Sequence, residues 1–170
     1  MRIQFNINKQ KANECVLWFI QKGERDMYKI WKMLFVAEKY HLNKYGRPIT
    51  GDKYFAMKHG TVPNWLYKQT SSKKESMISF IRYDKVLLPE REPIIKFFSR
   101  SDIKALEHGY KEYVGLSFGE VREKNHKEPA WVKNWDLRGK KEKVQIPFED
   151  LIAEDWLKED LKIASRTMVL

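Results

Sequence analysis

Apolar residues recur with a helical period near the start of the chain. Residues 1–7 alternate apolar and polar positions, which predicts a short strand or an extended arm. From about Asn8 to Lys22, apolar residues follow the spacing i, i+3, i+4, i+7 and i+8, which predicts an amphipathic helix that ends at Gly23. Its apolar stripe consists of Ala12, Cys15, Val16, Phe19 and Ile20. Cys15 is therefore predicted to be a small core residue rather than a nucleophile.

A second helix is predicted from Met27 to about Asn43. Asp26 precedes it as an N-cap, and Gly46 followed by Pro48 predicts its C-terminal end. Apolar residues extend beyond one stripe of this helix, so we expect it to be central and contacted on several sides.

The stretch Lys39–Tyr67 concentrates residues that hold the backbone in unusual conformations. They are Gly46, Pro48, Gly51, Gly60 and Pro63. The pattern predicts a helix end, a turn, one strand at Lys53–Met57, a second turn, and a helix from about Pro63 to Gln69.

Strand-like patterns continue through residues 70–98. Thr70–Ser76 is the most polar run of the chain and predicts a surface loop. Met77–Pro93 predicts a hairpin with its turn at residues 83–85, and Ile94–Phe98 predicts a further strand. Together with Lys53–Met57, these segments predict an antiparallel sheet of about three strands.

Helical patterns return after residue 98. The predicted elements are a helix from Ser99 or Ser101 to Gly115, a helix from Ser117 to about Asn125 with a capping box completed by Glu120, a helix from Pro129 through Trp131 and Trp135, a basic loop at 138–143, and a helix from Pro147 to about Ser165. No repeat or long linker divides the chain. We therefore predict a single α+β domain over residues 1–170, mainly helical with a small antiparallel sheet.

The net charge of +10 is concentrated toward the N-terminus. Residues 1–70 carry 13 Lys/Arg and 5 Asp/Glu, whereas residues 101–170 carry 13 and 14. A basic field attracts nucleic acid or an acidic protein surface, although lysines also serve simply to solvate helix faces. The helix predicted at residues 63–69 argues against DNA reading, because it is short, begins at a proline and carries one lysine.

The remaining composition favours the cytoplasm. The single cysteine excludes an internal disulfide and fits a reducing compartment. No apolar run approaches the roughly 20 residues of a membrane span, and the first residues lack the apolar core of a secretory signal. We predict a cytoplasmic protein without a membrane segment, whose oligomeric state is open.

No catalytic or cofactor motif is evident. The four histidines (His41, His59, His108 and His126) have no ligand spacing, and neither a phosphate-cradling glycine loop nor a nucleophile elbow is present. Asp52 and His59 would suit a base and its orienting group, but turn chemistry after Gly51 explains Asp52 better. We therefore predict no catalytic residue, no metal site and no cofactor.

Two blocks of the sequence resemble a known family. Lys32–Tyr67 reads KMLFVAEKYHLNKYGRPITGDKYFAMKHGTVPNWLY and resembles the signature of the Panacea domain, the SocA-like, phage-associated antitoxin family, LLYFADKYHLxxYGRPITGDxYxAxxxGPVPxxLY. Ser99–Trp131 resembles its second block, which contains LSxxELxxxTHxxxAW. The sequence departs from this pattern at Thr61, where the family has proline, and at Asn125, where it has threonine.

The resemblance implies an antitoxin that binds and neutralises a toxin encoded beside it. It implies a mainly helical fold with a small sheet and a direct protein–protein inhibitor rather than an enzyme. One branch of the family resembles adaptors that deliver the toxin to a AAA+ protease, and a nucleic-acid-binding transcriptional regulator is a less favoured alternative. Local exposure favours seven partner-binding residues: Tyr54, Lys58, His59, Trp65, Tyr67, Trp131 and Trp135.

Overall fold

The computed structural model describes residues 1–71 and 74–170. The α-helices in this part of the chain are α1 (Lys9–Gln21), α2 (Met27–Tyr45), α3 (Asn64–Gln69), α4 (Arg100–Tyr113), α5 (Phe118–Asn125), α6 (Pro129–Leu137) and α7 (Asp155–Ala164). The strands are β1 (Tyr54–Met57), β2 (Gly60–Pro63), β3 (Phe80–Tyr83), β4 (Val86–Pro89) and β5 (Lys143–Ile146). Short 3₁₀ turns lie at Ile95–Phe97, Phe148–Leu151 and Ser165–Thr167. The fold is α+β and mainly helical, as predicted.

Helix α2 is the central element, which confirms the prediction made from its apolar pattern. The side chain of Asp26 caps its N-terminus through the amide of Lys29, and Gly46 ends it with φ of 70°. Its main partner is α4, which crosses it closely at Gly109. A Cβ at Gly109 would lie 2.1 Å from the carbonyl oxygen of Met33 in α2, so only glycine permits this contact.

The strands form two separate antiparallel sheets. One has the order β2-β1-β5, with Tyr54 of β1 opposite Pro63 on one side and Ile146 on the other. The second consists of β3 and β4 alone. The predicted 77–93 hairpin is confirmed, but its assignment to one sheet with β1 is wrong. The third strand of the main sheet is instead β5, which begins inside the segment predicted to be a basic loop.

Three further predictions of secondary structure are wrong. Gly60–Pro63 is a strand rather than a turn and helix start, because this segment pairs with β1. Ile94–Phe98 contains a 3₁₀ turn instead of a strand. The helix predicted from Pro147 to Ser165 is interrupted before α7. The amide of Asn43 in α2 causes this break: it donates to the carbonyl of Leu151 and accepts from the amide of Ala153, which holds the chain extended.

The capping predictions are confirmed where helices begin at serine. Ser99 opens α4 with a capping box completed by Asp102, and Ser117 opens α5 with one completed by Glu120. Residues 1–7 form an arm rather than a strand. Ile3 within this arm is buried. Two residues of the predicted loop at 70–76, numbers 72 and 73, lie outside the described residues.

The polar residues of Lys39–Tyr67 and its surroundings bind the local backbone. Glu38 accepts from the amides of Ile49 and Thr50 at 2.7 and 3.0 Å, and burial raises its pKa to about 7. Asp52 accepts from the amides of Trp65 and Leu66 at the start of α3, and burial raises its pKa to about 6. Asp52 thus acts as a remote helix cap.

His41 joins the end of α2 to the start of α4. Its ring nitrogens lie 2.7 Å from the carbonyl oxygen of Arg47 and 2.8 Å from the hydroxyl of Ser101.

Among the described helices, none has both the length and the apolar character needed to cross a membrane.

Candidate partner-binding surface

The turn between β1 and β2 is held by side chains from three different parts of the fold. Its three consecutive carbonyl groups each accept a hydrogen bond from an aromatic side chain. The bonds run from Trp131 Nε1 to Met57 O (2.9 Å), from His126 Nε2 to Lys58 O (3.1 Å) and from Tyr28 Oη to His59 O (2.6 Å). The donors belong to α6, the C-cap of α5 and α2, so the turn is anchored to all three helices. Lys58 and His59 are exposed on this anchored backbone.

The strand that follows the turn is fixed by Asn125 of α5. The amide of Thr61 donates to Asn125 Oδ1 at 2.7 Å, and Asn125 Nδ2 donates to the Thr61 hydroxyl at 3.1 Å. Both residues are fully buried. Gly60 has φ of +117°, and a Cβ there would lie 2.2 Å from Asn125 Oδ1. The two positions that depart from the family pattern are therefore in direct contact.

Lys32 of α2 lies beneath the same strand. Its ammonium group donates to the carbonyl of Thr61 at 2.8 Å and lies 4.2 Å from the ring centroid of Tyr28. The side chain is fully buried, and this burial lowers its pKa to about 7. No carboxylate in the described part of the chain pairs with this ammonium group, so burial disfavours its charged form.

Helix α6 and its neighbours build a stack of rings beside the turn. The His126 and Trp131 rings are parallel with centroids 3.9 Å apart, and Trp135 follows Trp131 at 5.5 Å. The Arg138 guanidinium lies 3.6 Å from the Trp135 centroid. Cation–π and stacking contacts of this kind hold the C-terminal end of α6 next to Lys58.

Two recesses flank the turn, and both include Met57 and Lys58 in their walls. The first has a volume of about 170 Å³ and is mainly apolar. It is lined by Met27, Tyr28, Trp31, Lys32, Met57, Lys58, His59, Val62 and Tyr67. The second has a volume of about 520 Å³ and is basic. It is lined by Met57, Lys58, Trp135, Arg138, Gly139, Lys140, Lys141 and Glu142.

Cations dominate the electrostatics around the turn. Burial lowers the pKa of His59 and His126 below the ordinary value, and the nearby Arg122 guanidinium lowers both further. The basic side chains of the second recess and Arg122 form no ion pair with any carboxylate in the described part of the chain. The surface therefore carries uncompensated positive charge.

The structure brings five of the seven predicted partner-binding residues to this turn. They are Lys58, His59, Tyr67, Trp131 and Trp135, of which Trp131 is only 8% exposed and supports the turn from beneath. Tyr54 is not on this surface, because its side chain is 1% exposed and packs on Phe35 in the core. Trp65 lies apart from the turn, where its indole donates to Glu75 at 3.1 Å.

Four residues of this surface were not found from the sequence. Tyr28 and His126 anchor the turn, Arg138 stacks on Trp135, and Phe118 is 51% exposed with its ring 4.6 Å from that of Tyr28. Only Arg138 carried a signal, as the first residue of the predicted basic loop. The other three come from α2 and from the two ends of α5, and tertiary packing brings them together.

The β1–β2 turn of this α+β fold is held by hydrogen bonds from three helices and is surrounded by basic and aromatic side chains. Across residues 1–71 and 74–170, no three His, Cys, Asp or Glu side chains are grouped closely enough to hold a metal ion. The model of the family described as antitoxin SocA-like, Panacea domain, matches residues 30–132. The chain therefore belongs to this family. Searches of curated proteins and of solved structures gave no match.

Proposed function

We propose that the protein is an antitoxin that neutralises a toxin encoded by a neighbouring gene through direct protein–protein binding. Membership of the SocA-like antitoxin family supports a binding rather than a catalytic role. The proposed contact surface is centred on the β1–β2 turn and includes Lys58, His59, Tyr67 and Trp135. We place the complex in the cytoplasm, in keeping with the single buried thiol of Cys15.

The anchored turn is the observation that carries this proposal. Three carbonyl groups in succession are bound by Tyr28, His126 and Trp131, so the exposed side chains of Lys58 and His59 stand on a backbone that is already ordered. A surface that is ordered before binding loses less conformational entropy when the partner docks. Exposed polar groups beside an apolar recess match the apolar core and polar rim of protein interfaces.

Co-expression tests the function directly. The reading frame adjacent to this gene is induced alone and together with the antitoxin, and growth is recorded. We expect the adjacent product to stop growth, the antitoxin to restore it, and the two proteins to co-purify. Persisting growth arrest despite equal expression would contradict the proposal for this pair.

The same strains separate occlusion from proteolytic delivery. Immunoblots of the toxin in the presence and absence of the host AAA+ proteases report whether the antitoxin lowers toxin abundance. Unchanged toxin levels with restored growth support occlusion. Toxin loss that depends on a AAA+ protease instead supports the adaptor role.

A further inference from the structure

We propose that the β1–β2 turn recognises an acidic segment of the toxin that carries an apolar anchor residue. The apolar side chain enters the recess beside Tyr67, and the flanking carboxylates lie over the basic recess formed by Lys58, Arg138, Lys140 and Lys141. This proposal rests on the proposed function, since it names the chemistry of the partner at the same surface.

The convergence of unpaired cations on one recess favours an acidic partner. Elsewhere in the described chain, some lysines have a carboxylate of their own, as in Lys39 with Glu128 at 2.6 Å and Lys133 with Asp150 at 2.6 Å, whereas Lys104 and Lys111 have none but lie outside the two recesses. The lysines around the second recess have none within residues 1–71 and 74–170, and Glu142 is the one acidic residue in its lining. Unpaired cations that converge on one recess attract carboxylates and disfavour a basic partner.

The smaller recess has the dimensions of an anchor site. Its volume of about 170 Å³ is below the roughly 300–1,000 Å³ of pockets for drug-sized ligands, and it suits a single side chain. Its wall includes Trp31, whose indole N–H is buried and has no acceptor among the described residues. Exposed Phe118 extends the apolar surface beside His59, at 5.9 Å between ring centroids. An apolar residue from an extended segment would cover the rings that line this recess.

The aromatic stack argues for a protein rather than a nucleic acid. Single-stranded nucleic acids bind by stacking bases on free aromatic faces. The Trp135 ring here is already stacked against Trp131 and covered by the Arg138 guanidinium. The platform that a base would need is therefore occupied by the protein itself.

Charge reversal with a matched control tests the electrostatic part. Lys58→Glu combined with Lys140→Glu changes the recess, and Lys104→Glu combined with Lys111→Glu makes the same change on α4, where both lysines are exposed and outside the two recesses. Binding to the purified product of the adjacent reading frame is measured by calorimetry at low and high salt. We expect the recess variant to bind at least about tenfold more weakly, with a smaller salt dependence, and the control to stay within about twofold. Equal affinities of the two variants would overturn the proposal.

A second pair of variants tests the anchor. Tyr67→Ala shortens the wall of the smaller recess, and Tyr83→Ala removes an exposed ring from the end of β3 in the other hairpin. We expect about a tenfold loss of affinity for Tyr67→Ala and no change for Tyr83→Ala. Both variants change exposed side chains, so circular dichroism should show intact folds. Unchanged binding by Tyr67→Ala would refute the anchor.

Zero-length carbodiimide cross-linking identifies the partner groups, because it joins a lysine amine only to a carboxylate in contact with it. We expect cross-links from Lys58, Lys140 or Lys141 to one acidic segment of the toxin, and cross-links confined to other lysines would overturn the assignment.

A single-stranded oligonucleotide that binds the wild type, loses binding in the Lys58/Lys140 variant and competes with the toxin would show a nucleic-acid site instead. If the wild-type protein fails to bind the adjacent product, the proposed function fails. If the wild type binds and the recess variants bind equally well, only the acidic-segment proposal fails.

Discussion

The hydrogen bonds between Thr61 in β2 and Asn125 in α5 predict that substitutions at these two positions have coupled effects on the free energy of unfolding. Replacing Thr61 by proline and Asn125 by threonine introduces the residues of the family pattern at both positions. Proline is compatible with this place in the sheet, because β2 is an edge strand and the Thr61 amide points to Asn125 rather than to β1. The substitution removes both the amide donor and the hydroxyl acceptor that Asn125 uses.

The magnitude follows from burial. Thr61→Pro leaves Asn125 Oδ1 buried without a donor, while Asn125 Nδ2 keeps only the Tyr113 hydroxyl at 3.4 Å, and an unsatisfied buried polar group costs about 1–3 kcal/mol. Asn125→Thr removes the partner from the other side and leaves the Thr61 amide unpaired, at a similar cost. The double variant contains neither the Asn125 amide nor the Thr61 N–H, so neither group is left unpaired. Its loss of stability should therefore be smaller than the sum of the two single losses by about 1–2 kcal/mol.

Urea unfolding of the four proteins measures this coupling, with the midpoint and slope recorded for each. Thr61→Val is the matched control, because it keeps the backbone amide and loses only the hydroxyl, and we expect it to be milder than Thr61→Pro. Additivity of the two single changes within about 0.5 kcal/mol would show that the contact does not stabilise the fold as the structure indicates.

Three further perturbations test the turn. Gly60→Ala should cost at least about 2 kcal/mol in urea unfolding, because φ is +117° and the new Cβ would meet Asn125 Oδ1, and a neutral effect would contradict the geometry. Lys32 has a folded-state pKa of about 7, below its unfolded value, so the unfolded state binds more protons above pH 7. The free energy of unfolding should therefore rise by about 2–3 kcal/mol between pH 6 and pH 9 relative to that of the Lys32→Met variant. Parallel pH profiles of the two proteins would refute this. Tyr28→Phe removes the hydrogen bond to the His59 carbonyl, so it should change the free energy of unfolding by less than about 1 kcal/mol. Toxin binding measured by calorimetry should nevertheless weaken several-fold. Unchanged affinity would show that this hydrogen bond does not organise the surface.

Local signals in the sequence were sufficient for most helices. Asp26, Ser99 and Ser117 cap helices where the pattern predicted, and the apolar stripe containing Cys15 lies in the core. These features depend on hydrogen bonds and periodicities within a few residues, so short sequence patterns are sufficient to predict them. The predicted Thr70–Ser76 loop is not tested over its whole length.

Strand partners were beyond such signals. β5 pairs with β1 across more than 80 residues of chain, and nothing within 138–143 distinguishes a basic loop from the start of an edge strand. The break before α7 depends on Asn43, a residue more than 100 positions away. Pairings over such distances are decided by which elements pack together, so the sheet was correct in size and wrong in membership.

The candidate surface shows the same division. Local exposure in the sequence predicts Lys58, His59, Tyr67, Trp131 and Trp135 as partner-binding residues without placing them near one another. Their common location arises only from the packing of α5 and α6 against the hairpin. Tyr54 was misjudged because a strand residue has two faces, and the sequence does not show which one meets the core.

The sequence alone determined the family, the helical framework and the excess of positive charge, because each is written in residue types and short spacings. Only the tertiary structure decided that Thr61 meets Asn125, that three aromatic donors hold one turn, and that unpaired cations gather beside an apolar recess. These properties depend on distances between segments that are remote in the chain. The stretch Lys39–Tyr67 identifies the family through the hydrogen bonds that build its own backbone, whereas the proposed partner-binding surface is assembled from that stretch together with α2, α5 and α6.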